Sequence, residues 1–292
     1  MPAELATGGS RVTELGGRSV HLLVQAGDGP PVVLLGGCAV PSYAFRQVLA
    51  GLPGRWAVAL DRPGMVQTPW PGTLPTLAEE VATLADLLLR LGQPAVLVAH
   101  SMAGPHAEAV IREHPGTVRG LVLIDASIET NPRRPAPGGP WLAVSRAVRR
   151  ATVLPPLAML GSFAERVMVS GQSTRHGLGE AKPDLVREIY RRPDTLAAVV
   201  AEQAAYAGQL WDLEARLRSG PWPGTPSIVL TAGHRASARW VAAQRQLAER
   251  VGGRQVLVEG SRHLMMVDRP DAVVEAVTAL SGPSGSSPTL SS

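Results

Sequence analysis

The chain is poor in the residues that build cross-links and metal clusters. Its 292 residues include one cysteine, Cys38, which excludes an intrachain disulfide and any thiolate-based metal cluster. Lysine is as scarce: Lys182 is the single one, so the 28 basic residues are nearly all arginine, and the formal net charge is only +4. Arg133, Arg134, Arg146, Arg149 and Arg150 gather in one region with no aromatic residues interleaved as stacking platforms. They read as a solvated face and not as a nucleic-acid surface. No apolar run approaches the length of a membrane span, and Met1 to Gly17 carries no basic-then-apolar targeting pattern. A soluble, cytoplasmic protein is expected, with neither nucleic acid nor membrane as a partner.

What the chain does have is apolar residues, 45% of the total, set out in a regular alternation. Arg11 to Leu15, Gly16-Gly17 and Ser19 to Gln25 read as an antiparallel hairpin at a sheet edge. Pro31 to Leu35, Trp56 to Leu60, Ala95 to Ala99, Leu121 to Ile124, Ser227 to Thr231 and Gln255 to Glu259 read as short buried strands. Helices fall between them. The clearest is Thr76 to Leu91, where Thr76 and Glu79 make a capping box and Leu77, Val81, Leu84, Leu88 and Leu91 share one face. Strand and helix in alternation imply a mainly parallel sheet covered on both faces, an α/β fold.

The alternation stops near Asn131. Up to Pro223 there is no strand-like run, only helical stretches (Trp141 to Thr152, Pro156 to Ser170, Lys182 to Arg191, Asp194 to Leu217) between breaks rich in Pro and Gly. This reads as a helical cap, residues 131–222, inserted into a core formed by residues 1–130 and 223–280. Trp141, Met159, Phe163, Met168 and Trp211 are expected to pack the cap, some of them lining an apolar pocket. Residues 281–292 are Ser, Gly and Pro with almost nothing apolar, and disorder is expected there.

The most telling stretch is Leu97-Val98-Ala99-His100-Ser101-Met102-Ala103-Gly104. Ser101 falls at the turn between a buried strand and the helix Ala103 to Glu113, with Pro105 tolerable in the helix's first turn. A serine on so sharp a turn needs small neighbours, and Ala99 and Ala103 meet that demand where the usual form has glycine. In an open parallel sheet, functional groups collect at the carboxyl ends of strands. Those ends carry Gly36-Gly37-Cys38, Asp61, Ser101, Asp125, Gly233-His234 and His263. Among them are a hydroxyl, imidazoles and carboxylates, the groups an activated serine nucleophile requires.

In this order of landmarks the chain resembles an α/β-hydrolase with a helical cap after the sixth strand, from the opening hairpin to the last helix. The resemblance implies Ser101 as nucleophile and His263 as general base, with His234 the one rival. His100 is expected to point into the sheet. The family's commonest acid site follows the strand Ser227 to Thr231, but Ala232 to Arg239 contains no carboxylate. Some members, including a branch of the haloalkane dehalogenases, carry the acid before the cap instead. That position is Asp125, 24 residues after Ser101, with Glu129 as fallback. The backbone N–H groups of Cys38 and Met102 correspond to the oxyanion hole. Gly36-Gly37 replaces the family's His-Gly pair, so the histidine that usually braces this loop is missing. Asp61 and Arg62 are expected to brace loops near the site, and Val66 stands where a glycine is usual.

The resemblance implies a serine hydrolase that cleaves a carboxylic ester, thioester or lactone of a small-molecule acyl substrate through an acyl-enzyme. Neither a metal nor an organic cofactor is called for. Two alternatives stay open: the same triad in a lyase or acyl-transfer reaction, and a non-catalytic ligand-binding member of the fold.

Overall fold

Successive side chains of a strand point to opposite faces, and in the central strands of this chain both faces are apolar. In the computed structural model, which describes residues 3–129, 132, 135, 138–175 and 183–282, those faces fill two separate core layers. Val33, Leu35, Leu97, Leu121 and Val229 enter one layer, and Val32, Leu34, Val96, Val122 and Ile228 enter the other. Parallel strands covered by helices on both sides are buried in this way.

The strands are β1 (Gly9–Leu15), β2 (Arg18–Gln25), β3 (Asp28–Leu35), β4 (Arg55–Leu60), β5 (Ala95–His100), β6 (Val118–Ile124), β7 (Ser227–Ala232) and β8 (Arg254–Val258). They form one eight-stranded sheet in the order β1-β2-β4-β3-β5-β6-β7-β8. The β1–β2 and β2–β4 pairings are antiparallel, and all the others are parallel. Gly16 and Gly17 close the opening hairpin at φ +57° and +79°, a conformation that favours glycine.

The helices are α1 (Ala3–Ala6), α2 (Arg46–Ala50), α3 (Leu77–Leu91), α4 (Gly104–Glu113), α5 (Gly139–Ala151), α6 (Pro155–Gln172), α7 (Pro183–Arg191), α8 (Pro193–Leu217), α9 (Ala238–Arg250), α10 (Met265–Asp268) and α11 (Pro270–Ser281). The capping box of α3 forms as read: Glu79 N–H donates to Thr76 Oγ1 at 3.2 Å, and Thr76 N–H donates to Glu79 Oε2 at 2.9 Å. The expected stripe of α3, from Leu77 to Leu91, is buried. Each such leucine stabilises the fold by about 1.5–3 kcal/mol.

Helices α5 to α8 lie between β6 and β7, as the cap of an α/β-hydrolase should. Two four-residue helices, α1 and α10, were not expected, because a single turn is too short to show a period. Ser281 is also a correction to the expected tail: it ends α11 and is buried. Residues 283–292, Arg133, Arg134 and Lys182 lie outside the described residues.

Candidate active site

The turn between β5 and α4 holds Ser101 at φ +52°, in the left-handed region where a side chain crowds its own backbone. The geometry survives because the surroundings fix it. Ala99 and Ala103 are fully buried, and Ser127 N–H donates to the Ser101 carbonyl at 3.0 Å. The neighbouring strand end also has no room to spare: a Cβ on Gly37 would lie 2.6 Å from Ser101 Cβ and 3.1 Å from His100 Nδ1.

His263 lies in the loop after β8, 162 positions along the chain from Ser101. Its Nε2 is 2.9 Å from Ser101 Oγ, and its Nδ1 is 2.7 Å from Asp125 Oδ2. With a carboxylate accepting at Nδ1, the neutral ring carries its proton there, and Nε2 is left to accept from the serine hydroxyl. Asp125, at the end of β6, is likewise held at positive φ, +41°. Its second oxygen, Oδ1, accepts from Trp240 Nε1–H at 2.8 Å and from Ala232 N–H at 3.2 Å. Glu129 is exposed and does not occupy this place. His234 lines an open cleft of about 370 Å³ that Asp125 and His263 also border, and among the described residues it makes no hydrogen bond to Ser101.

Cys38, Ser101 and Met102 line a common cavity. The Met102 N–H belongs to the first turn of the helical segment that opens at Ser101, where backbone N–H groups lack intrahelical partners. The loop that presents Cys38 is braced by unexpected means. His100 does not turn away into the sheet: its Nδ1 accepts from Gly37 N–H at 3.3 Å, its Nε2 lies 3.1 Å from the His263 carbonyl, and its ring sits 4.6 Å from the His263 ring. Burial, with the nearby His263, holds the His100 pKa well below the ordinary histidine value, so it braces the loop as a neutral ring. The residue before the serine thus does the bracing that the absent histidine would do. Tyr190 O–H adds a bond to the Ala39 carbonyl.

Behind this loop, Asp61 accepts from Ser42 N–H at 2.7 Å and Ser42 Oγ–H at 2.6 Å, and it pairs with His21 Nδ1 at 2.6 Å. Arg62 forms a buried ion pair with Glu202 of α8 at 2.7 Å. Burial and the neighbouring Glu202 push the Cys38 thiol well up, which leaves the thiol protonated and a poor nucleophile. Val66 adopts φ +49°, the conformation for which glycine is usual at that position.

Sequence reasoning missed Trp240 and Glu202. Trp240 is joined to Asp125 across 115 residues and leaves no local pattern. Glu202 does leave one: it is a carboxylate among Ala198, Ala201 and Ala205 on the buried face of α8.

Ser101 and His263 open onto a cavity of about 310 Å³ bounded partly by α6 and α8. Its wall differs from the one expected. Trp141, Met159, Phe163 and Trp211 are 54%, 59%, 67% and 39% exposed, so they neither pack the cap nor line the cavity, and the Met168 side chain lies outside the described residues. The apolar wall comes instead from Met102, Leu196 and Val199.

The sequence model of the Alpha/beta hydrolase family matches residues 22–276, and the chain belongs to that family. A comparison with curated proteins finds no match. Among solved structures, the chain is similar to Cfl2 from Burkholderia cenocepacia, at 22% identity and TM-score 0.70 over 94% of this chain and 95% of that one. It is also similar to the haloalkane dehalogenase DbeA from Bradyrhizobium elkanii, at 20% identity and TM-score 0.65 over 93% and 98%. A third is the N-formylmaleamic acid deformylase of Pseudomonas putida, at 18% identity and TM-score 0.65 over 92% and 100%. At these identities the likeness is one of fold. Among the described residues, no helix is long and apolar enough to cross a membrane.

Proposed function

We propose that the chain is a serine hydrolase acting on a carboxylic ester, thioester or lactone of a small acyl substrate. The observation that carries this reading is the unbroken relay from Asp125 through His263 to Ser101, at 2.7 and 2.9 Å. In it, Ser101 Oγ attacks the substrate carbonyl while His263 Nε2 takes the hydroxyl proton. The N–H groups of Cys38 and Met102 receive the oxyanion, and His263 returns the proton to the leaving alcohol or thiol. A water then repeats the sequence on the acyl-enzyme, freeing the acid and restoring Ser101. Asp125 fixes the ring and stabilises the imidazolium in both halves.

Halide displacement, the reaction of the dehalogenase neighbours, is disfavoured because it runs through a carboxylate nucleophile and the elbow here presents a serine. A lyase would use Ser101 as a proton relay without acylating it, and that difference can be measured. A fluorophosphonate probe is expected to label the protein at one site and to leave Ser101→Ala unlabelled. A panel of short-chain p-nitrophenyl esters should be turned over by the wild type alone. Failure of both would remove the hydrolase reading.

A further inference from the structure

Glu165, on α6, lines the same cavity as Ser101 and is only 8% exposed. Among the described residues its carboxylate accepts no hydrogen bond and forms no ion pair. A largely buried carboxyl with no protein partner has lost part of its hydration without compensation, and no structural role accounts for it: its chain neighbour Arg166 is exposed. The side chains beside it on the cavity wall are also polar. Gln172 lies on α6, and Gln203 on α8 reaches two sulfur atoms, Met102 Sδ at 3.9 Å and the Cys38 thiol. Tyr190, by contrast, has its hydroxyl committed to the Ala39 carbonyl. In ligand sites a few convergent polar groups set orientation and choice of ligand within an otherwise apolar wall.

We infer that Glu165 is a specificity-determining residue that selects acyl groups bearing a hydrogen-bond donor, an ammonium above all and a hydroxyl next, over plain alkyl chains and over carboxylates. The inference rests on reading this cavity as the acyl site of the hydrolase. A donor on the substrate supplies the partner that the carboxylate lacks, whereas a second carboxylate would bring like charge into a buried space. Burial pushes the Glu165 pKa up, against a weaker opposing pull from Arg166, so the preference for ammonium should strengthen as the solution becomes more alkaline.

The test compares p-nitrophenyl caproate with its ω-ammonio, ω-hydroxy and ω-carboxy analogues in mildly alkaline buffer. Wild type is expected to show kcat/KM roughly tenfold to a hundredfold higher for the ω-ammonio ester than for the alkyl ester, the size of a charge-assisted hydrogen bond. The ω-carboxy ester should be the poorest. In Glu165→Gln the ammonium preference should fall by about the same factor. Preference of the wild type for the alkyl or carboxy ester overturns the inference, and so does an unchanged ratio in a folded Glu165→Gln. Calorimetric binding of ω-aminocaproate amide and caproamide to Ser101→Ala separates this inference from the hydrolase reading. Tighter binding of the amine supports the role of Glu165 even if no ester is turned over, while equal binding, or none, contradicts it.

Discussion

Asp125 is the side chain on which the proposed chemistry turns, and its place shows what a sequence can and cannot disclose. The absence of a carboxylate between Ala232 and Arg239 pointed to it, and the structure sets it 2.7 Å from His263 Nδ1. Asp125→Asn is expected to lower kcat by up to roughly ten-thousand-fold, since an amide favours the wrong imidazole tautomer. The same measurement on Glu129→Gln should show little change. Trp240 was not legible, because a bond spanning 115 residues has no period and no motif. Trp240→Phe keeps the ring and deletes the N–H that holds Asp125 Oδ1. A fall in kcat of roughly tenfold, with KM little altered, is expected for loss of a hydrogen bond to a charged group. An unchanged kcat would reduce Trp240 to packing. Ser101 could be read from its small neighbours, and its strained φ is the physical reason those neighbours are small.

Among the elements, α3 was readable to within a residue because it has both a period and a cap. Thr76→Ala is expected to cost about 1 kcal/mol in chemical denaturation. Helix α10 was invisible, yet it organises the loop that presents His263. Asp268, its last residue, accepts from Ser173 Oγ–H at 2.6 Å, Thr174 N–H at 2.9 Å and Arg262 N–H at 2.8 Å. Leu264 N–H donates to the Gln172 carbonyl at 2.8 Å. The C-terminal end of α6 is thereby tied to the histidine loop, and Asp268→Ala should lower both stability and turnover, with the loss of turnover evident under conditions where the protein is still folded. The loop of Gly36 and Gly37 is equally restricted. With a Cβ due within 2.6 Å of Ser101, Gly37→Ala should displace the serine or the proposed donor at Cys38 and lower kcat on the order of a hundredfold, the usual effect of losing one oxyanion donor.

At the scale of the whole molecule, the mainly parallel sheet and the cap's position were legible, because short wholly apolar runs alternating with amphipathic helices admit few arrangements, while the crossing of β3 and β4 in the sheet was not. The interior of the cap was not. Met159 and Phe163 recur at helical spacing, but spacing alone does not say which face meets the core, and both are exposed. Nor could the sequence show the buried polar cluster between core and cap. There His106 lies 2.9 Å from Gln209 and 4.0 Å from Glu80, and burial lowers its pKa from 6.5 to about 4. The folded chain therefore binds fewer protons at this site than the unfolded chain between those values, so stability rises with pH across that window. The contribution is complete above about 6.5 and lost as pH falls through about 4, a change of roughly 3 kcal/mol. Urea denaturation near pH 7 and near pH 5 should show the stability advantage of wild type over His106→Gln shrinking in acid. The claim on which the account depends is that three distant segments of chain meet to make Ser101 nucleophilic. Intact-mass spectrometry of the protein quenched during turnover of a p-nitrophenyl ester tests it most directly. The account predicts a mass increase of one acyl group, localised to Ser101 and absent from Ser101→Ala. Turnover with no acyl adduct on Ser101, under conditions that trap a deacylation-limited enzyme, would contradict it.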